Sequence, residues 1–174
     1  MSLVKLDFCD YNEYLIILTA PSLPSGSRCL IVSNYASGAR WYGSQEPPSI
    51  FFSILGVKIV ALEDGYFALA STDEGITKYL SVDVNNGGRI SATASHITEK
   101  EKFSIFIESE NVRENRVYLS SATGKFVTMV ESVDELSDDT IYEAAANSEV
   151  INSKSTFSIY ALVRPDDGSI MQFL

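Results

Sequence analysis

The sequence predicts an all-β chain made of three repeated units of four strands. Three observations carry that prediction. The tripeptide Phe-Ser-Ile occurs at 52–54, 103–105 and 157–159, with its phenylalanines 51 and then 54 residues apart, and a recurrence of that period points to an internal repeat. Each copy lies in a run with the alternation of a strand. Phe103, Ile105 and Ile107 fall on one face and Ser104, Phe106 and Glu108 on the other; Phe157, Ile159 and Ala161 alternate in the same way with Ser158, Tyr160 and Leu162. Nine Tyr and nine Phe in 174 residues, beside abundant Val and Ile, also favour strands over helices.

The first unit, placed at 10–55, contains "YLIILTA" (14–20), "RCLIVSN" (28–34), "ARWYGS" (39–44) and "IFFSIL" (50–55). The second, at 57–108, opens with "VKIVALEDGYFALAS", continues with "RISATA" after the "NNGG" turn, and ends on its Phe-Ser-Ile strand. The third, at 116–163, opens with "RVYLSSATGKFVTMV" and continues with "TIYEAAA" (140–146) before its own Phe-Ser-Ile strand. Gly65 before Tyr66-Phe67 and Gly124 before Lys125-Phe126 supply the positive φ that a tight hairpin needs. "AAANSEV" (144–150) has the alternative of a helical turn, since Ala favours helix. After the third unit, Asp166-Asp167-Gly168 reads as a turn, and 169–174 is expected to add a strand against the N-terminus.

A chain of 174 residues suits a single domain, 1–174, able to bury about 70% of its unfolded surface. No apolar run reaches the ~18 residues of a membrane-spanning helix. The opening "MSLVKLDFCDYNEY" lacks the basic and apolar regions of a secretory leader, so a cytoplasmic location is expected. Thirteen basic against 23 acidic residues give a net charge of −10. Without a cationic cluster, neither nucleic acid nor an anionic membrane is an expected partner. Seven of the acids (Glu131, Asp134, Glu135, Asp138, Asp139, Glu143 and Glu149) fall between 126 and 153, where no Lys or Arg occurs. That stretch reads as a solvated loop or as a lure for a basic partner; "DELSDD" lacks the ligand spacing of an EF-hand. Cys9 and Cys29 are expected to be reduced and buried, with a bridge between them as the alternative.

Closing four-stranded units into one barrel removes the exposed edges that twelve strands would leave. On that pattern the chain resembles a β-trefoil, with a β-sandwich as the alternative. The second unit is similar to a fascin-like repeat through Val57, Ile59 and Leu62, then Gly65, Tyr66 and Phe67, then Gly88, Ile90 and Ala92, and finally Glu101 and Phe103. The third keeps Val117, Leu119, Gly124, Lys125, Phe126 and Phe157 but lacks the Gly turn and the Glu. The resemblance covers about two-thirds of the chain, and for fascins it implies actin binding. Neither the Gln-x-Trp motif of ricin-type lectin trefoils nor the basic cluster of heparin-binding ones is present.

Function is expected to be non-enzymatic binding. His96 is the single histidine and has no readable nucleophile beside it, no His/Cys spacing makes a metal site, and no phosphate-binding motif occurs, so no cofactor is expected. Loops on a rigid barrel carry recognition in such scaffolds. In "ARWYGSQEPPS", Trp41 and Tyr42 with Gln45 and Glu46 offer flat aromatics and polar groups for a carbohydrate or protein ligand; the alternative is that Trp41 fills the barrel. The acidic loop, through Asp134, Glu135, Asp138 and Asp139, is the second candidate, for a protein partner. "APSLPSGS" (20–27) is rigid enough by its prolines for a protease-inhibitor loop.

Overall fold

The computed structural model describes residues 2–24, 29–35, 38–44, 57–108, 116–133 and 138–171. Fourteen strands pair into one continuous antiparallel sheet, and no α-helix occurs among the described residues. They are β1 (Leu3–Lys5), β2 (Leu15–Thr19), β3 (Cys29–Tyr35), β4 (Gly38–Ser44), β5 (Val57–Ala61), β6 (Phe67–Asp73) and β7 (Ile76–Asp83). Then follow β8 (Arg89–Ala94), β9 (Phe103–Glu108), β10 (Arg116–Ser121), β11 (Phe126–Val133), β12 (Thr140–Ser148), β13 (Phe157–Val163) and β14 (Ile170–Met171). "AAANSEV" is therefore strand and turn: tertiary pairing of β12 with β11 overrides the helix preference of its alanines.

The sheet closes into a barrel. Among the described residues, six strands form a ring in which β2 pairs β5, β5 pairs β6, β6 pairs β9, β9 pairs β10, β10 pairs β13 and β13 returns to β2. Three hairpins, β3–β4, β7–β8 and β11–β12, lie off this ring and pair with one another. Inside, Ile16, Ile59, Phe67, Phe103, Ile105, Val117, Leu119 and Phe157 meet in one core.

This corrects the expected fold class. A β-trefoil of three four-stranded units at 10–55, 57–108 and 116–163 is not what the strands form, and neither is a β-sandwich. Five strands, β5 to β9, lie between 57 and 108, and the closed sheet runs through the expected boundaries. The reason lies in the two Gly-aromatic turns that the sequence makes look alike. At Gly65 a 3-10 turn (Glu63–Gly65) joins two ring strands, β5 and β6; at Gly124 the turn leads from ring strand β10 into hairpin strand β11. The turn that matches Gly124 is Gly75, which leads from β6 into β7, and both glycines have φ > 0 with open space where a Cβ would stand. A three-fold recurrence survives in the ring at this shifted phase: Ile16 faces Val57, Phe67 faces Phe103, and Val117 faces Phe157. Val57, 1% exposed, thus holds the place expected for Phe52. The first Phe-Ser-Ile lies outside the described residues.

The strand faces follow the alternation, with one departure. Phe103, Ile105 and Phe157 are fully buried as expected. In β13 a bulge between Ile159 and Ala161 leaves Tyr160 55% exposed and turns Leu162 into the core. Two 3-10 turns set the entry of these strands. Thr98 and Glu101 form a reciprocal cap before Phe103, and Asn152 and Ser155 form one before Phe157. Glu101 is buried because it is fully used: it accepts from the Thr98 N–H and hydroxyl at 2.8 Å each and from the Ser81 hydroxyl. Glu101→Ala is expected to lower stability by about 1–3 kcal/mol, the cost of leaving buried donors unpaired, as measured by urea unfolding.

Flanking segments pair with ring strands beyond their contacts within the ring. β1 lies on β9, residues 12–14 on β5 (Glu13 N–H to Ile59 O, 2.8 Å; Ile59 N–H to Tyr14 O, 2.8 Å), and β14 on β13. The strand expected after Gly168 thus forms, but it pairs with β13 and not with the N-terminal strand. Phe8 packs edge-on to Phe67 and Tyr11 to Phe8, fixing the N-terminal segment to the ring. Cys9 is free and exposed, contrary to the buried thiol expected, because it sits in the 3-10 turn (Cys9–Tyr11) on the outside of this segment.

Tyr118 is buried on the outer face of β10 and donates to the Glu108 carboxylate at 2.9 Å. Burial, then that hydrogen bond, raises its phenol above the ordinary value of 10.0. A raised folded value means that the stabilising contribution is present below the unfolded value and is lost as pH rises through the folded one. Tyr118→Phe is therefore expected to flatten the alkaline limb of the stability curve above about pH 10, which thermal melts across that range would show.

Candidate functional site

The three hairpins converge by backbone pairing, and this junction is where polar chemistry gathers. Tyr42 on β4 lies opposite Glu143 on β12, Arg40 opposite Ser91 on β8, and Arg89 opposite Ala145. Alternation decides what each strand sends where. Ala144 and Ala146 of β12 and Ile90 and Ala92 of β8 enter the core, which leaves Glu143 and Arg89 on the opposite face. The alanines let β8 and β12 come close enough for the Ala146 N–H to donate to Gly88 O at 2.8 Å. Gly88 has φ +76°, and a Cβ there would stand 2.1 Å from Ala146 O. Only glycine fits this crossing.

Arg89 and Glu143 form an ion pair, Nε to Oε2 3.5 Å, in which the carboxylate side chain is 5% and the guanidinium side chain 32% exposed. The acid is thus taken out of water while its partner stays partly exposed. Such a pair is costly to break, because the remaining charge stays buried. Arg89→Ala is expected to destabilise the fold by roughly 3 kcal/mol, with denaturant unfolding as the check.

Two shallow clefts flank the junction. One, of about 380 Å³, is walled by Arg89, Glu143, Glu131, Asn86, Ser132 and Asn147. The other, of about 390 Å³, is walled by Val84, Gly88, Thr123, Lys125, Ala146 and Asn147. Both are at the small end of ligand sites. The walls of the first carry one guanidinium, two carboxylates, two carboxamides and a hydroxyl. Beside the second, Lys125 Nζ lies 2.6 Å from Glu149, whose carboxyl is lowered from its ordinary value by that hydrogen bond and charge. The pair is exposed and contributes little to stability.

The expected site residues are scattered. Trp41 is 1% exposed and belongs to the core, so its indole fills the barrel and is closed to a ligand. Tyr42 reaches the junction by its backbone register. Gln45 and Glu46 lie outside the described residues, as do Asp134 and Glu135. Asp138 and Asp139 are exposed, Asp138 with φ 58°, in the segment entering β12. The acidic stretch is not uniformly solvated: Glu143 is buried and Glu149 is salt-bridged. Of 20–27, Ala20 and Leu23 are buried anchors of a turn, and 25–27 lie outside the described residues. His96 is exposed in the loop after β8. The Cys9 thiol is raised above its ordinary value, first by its hydrogen bond to Asp7, which disfavours the nucleophilic thiolate. No group of metal-ligating side chains is found among the described residues.

Arg89 and Glu143 had no signal of their own in the sequence. They are 54 residues apart, each the sole charge in an alternating strand, and only the junction brings them together. Gly88 was visible as a turn residue, but its close approach to β12 was not.

No protein-family model matches the chain, and no curated protein matches it. Solved structures do. The designed three-fold symmetric β-trefoil ThreeFoil is 17% identical with a TM-score of 0.58, over 83% of this chain and 96% of that one. A chain of the S. cerevisiae protein O-mannosyltransferase Pmt1–Pmt2 complex bound to the sugar donor aligns with 99% of this chain at 12% identity and a TM-score of 0.69. Cry35Ab1 aligns with 95% at 13% identity and 0.59. This chain spans 28% of the mannosyltransferase chain and 38% of Cry35Ab1. At these identities the likeness is one of fold, and it relates the closed barrel described above to trefoil-like solved structures.

Proposed function

We propose that the chain is a non-enzymatic binding module that takes a neutral, hydroxyl-rich ligand, a carbohydrate, in the cleft where Arg89 and Glu143 meet. One observation carries this reading: a buried carboxylate held by a partly exposed arginine, in a cleft of about 380 Å³ whose other polar walls are Glu131, Asn86, Ser132 and Asn147. One guanidinium and two carboxylates beside three neutral polar side chains offer donors and acceptors that suit sugar hydroxyls better than an anionic ligand. A protein ligand is the competing outcome, through Val130 and Val133, 36% and 58% exposed on β11. The actin-binding and inhibitor readings gain no support from the described residues.

The test is glycan-array screening followed by calorimetric titration of the best glycan. Wild-type protein is expected to bind, and Glu131→Gln, on the cleft wall and outside the ion pair, to bind at least about tenfold more weakly through loss of a charge-assisted hydrogen bond. Binding unchanged in Glu131→Gln and in a folded Arg89→Met variant would place the ligand elsewhere. Capture of a protein and of no glycan would replace the carbohydrate reading.

A further inference from the structure

We propose that Asn86 is a site of spontaneous backbone modification, at which the side-chain amide closes onto the Gly87 nitrogen and opens again as isoaspartate and aspartate. Asn86-Gly87 is the single Asn-Gly pair in the sequence. Both residues are exposed in the β7–β8 turn. The turn's backbone bonds use the Asn86 N–H to Asp83 O (3.1 Å), the Gly88 N–H to Asp83 O (3.0 Å) and the Arg89 N–H to Asn86 O (3.3 Å). Among the described residues the Gly87 N–H has no acceptor and the Asn86 carboxamide no partner. Nothing lies within 4 Å of where a Gly87 Cβ would be, so the turn is open on that side of Gly87.

The chemistry needs only water. Gly87 N attacks Asn86 Cγ and forms a C–N bond; the Cγ–Nδ2 bond breaks, and the amide nitrogen leaves as ammonia with the proton that Gly87 N gives up. Hydrolysis of the resulting cyclic imide at Cγ yields aspartate. Hydrolysis at the main-chain carbonyl yields isoaspartate, with the chain now running through Cγ. Nothing is oxidised or reduced. Either product puts a carboxylate into the cleft of Arg89, Glu131 and Glu143, and isoaspartate also lengthens the turn that Asn86 O closes.

Other asparagines in the fold are internal controls. Asn147 Oδ1 accepts from the Thr128 hydroxyl at 2.6 Å, and Asn152 Oδ1 accepts from the Lys154 N–H at 2.8 Å. Each is followed by Ser, and its carboxamide is held. The Asp-Gly pairs at 64–65 and 167–168 have no side-chain amide to lose as ammonia.

The test is to incubate the folded chain and a urea-denatured sample in the same mildly alkaline buffer and follow the tryptic peptides 79–89 and 126–154 by mass spectrometry. Electron-transfer fragmentation separates Asn85 from Asn86 and isoaspartate from aspartate. Conversion is expected at Asn86 in the folded chain within about threefold of the denatured rate, because no local opening has to come first, and at Asn147 and Asn152 at least about tenfold slower than when denatured. Excess isoaspartate over aspartate is the expected product. Protection of Asn86 in the folded chain, or an Asn86 intact in both samples, would overturn the proposal.

Discussion

Trp41→Ala is expected to cost about 3–5 kcal/mol of folding stability, the range for deleting a large buried aromatic. The indole is 1% exposed and belongs to the common core, so its loss leaves a cavity there. The variant should unfold at markedly lower urea than wild type with an unchanged m-value. Trp41→Phe separates volume from polarity. Nε1 is buried without a hydrogen-bond partner among the described residues, so removing the N–H loses no bond, and the cost should fall well below that of alanine. If Trp41→Ala proved as stable as wild type, the placement of β4 in the barrel would be wrong.

The second large effect is expected from Gly88→Ala, at roughly 2–6 kcal/mol, from a strained left-handed backbone together with overpacking. Its Cβ would stand 2.1 Å from Ala146 O and 2.7 Å from Ala146 C, both backbone atoms that cannot rotate away. Gly124→Ala is the matched control. Gly124 also has positive φ, +101°, but nothing lies within 4 Å of its Cβ position, and only the backbone strain of about 1–2 kcal/mol is expected. Chemical denaturation of both variants compares the close approach of β8 and β12 with an open turn. Equal costs would mean that the two hairpins do not touch. Because Gly88 precedes Arg89, ligand affinity should fall along with stability in the first variant and hold in the second.

Strand faces and the all-β class were legible because alternation is a local property: Phe103, Ile105, Phe157 and Ile159 point inward as their spacing predicts. The phase of the repeat was not legible. Gly65 and Gly124 look equivalent in sequence, each a glycine before an aromatic, yet one turn joins two ring strands and the other leaves the ring. That distinction depends on which distant strand β5 meets, and β5 meets β2. Trp41 misled for a related reason. Beside Tyr42, Gly43 and two prolines it has the composition of a binding loop, but it lies on a strand whose register sends its indole into the core. The Arg89–Glu143 pair was illegible because its two halves meet only through the pairing of two hairpins.

We propose the hairpin junction as the place where this protein binds its ligand. Amide chemical-shift mapping of labelled protein against a glycan found by array screening tests it most directly. Shifts concentrated at Asn86–Arg89, Val130–Ser132 and Glu143–Asn147, saturating together, are the predicted result. Shifts centred on the β2–β13 side of the ring, with these residues unmoved, would contradict it.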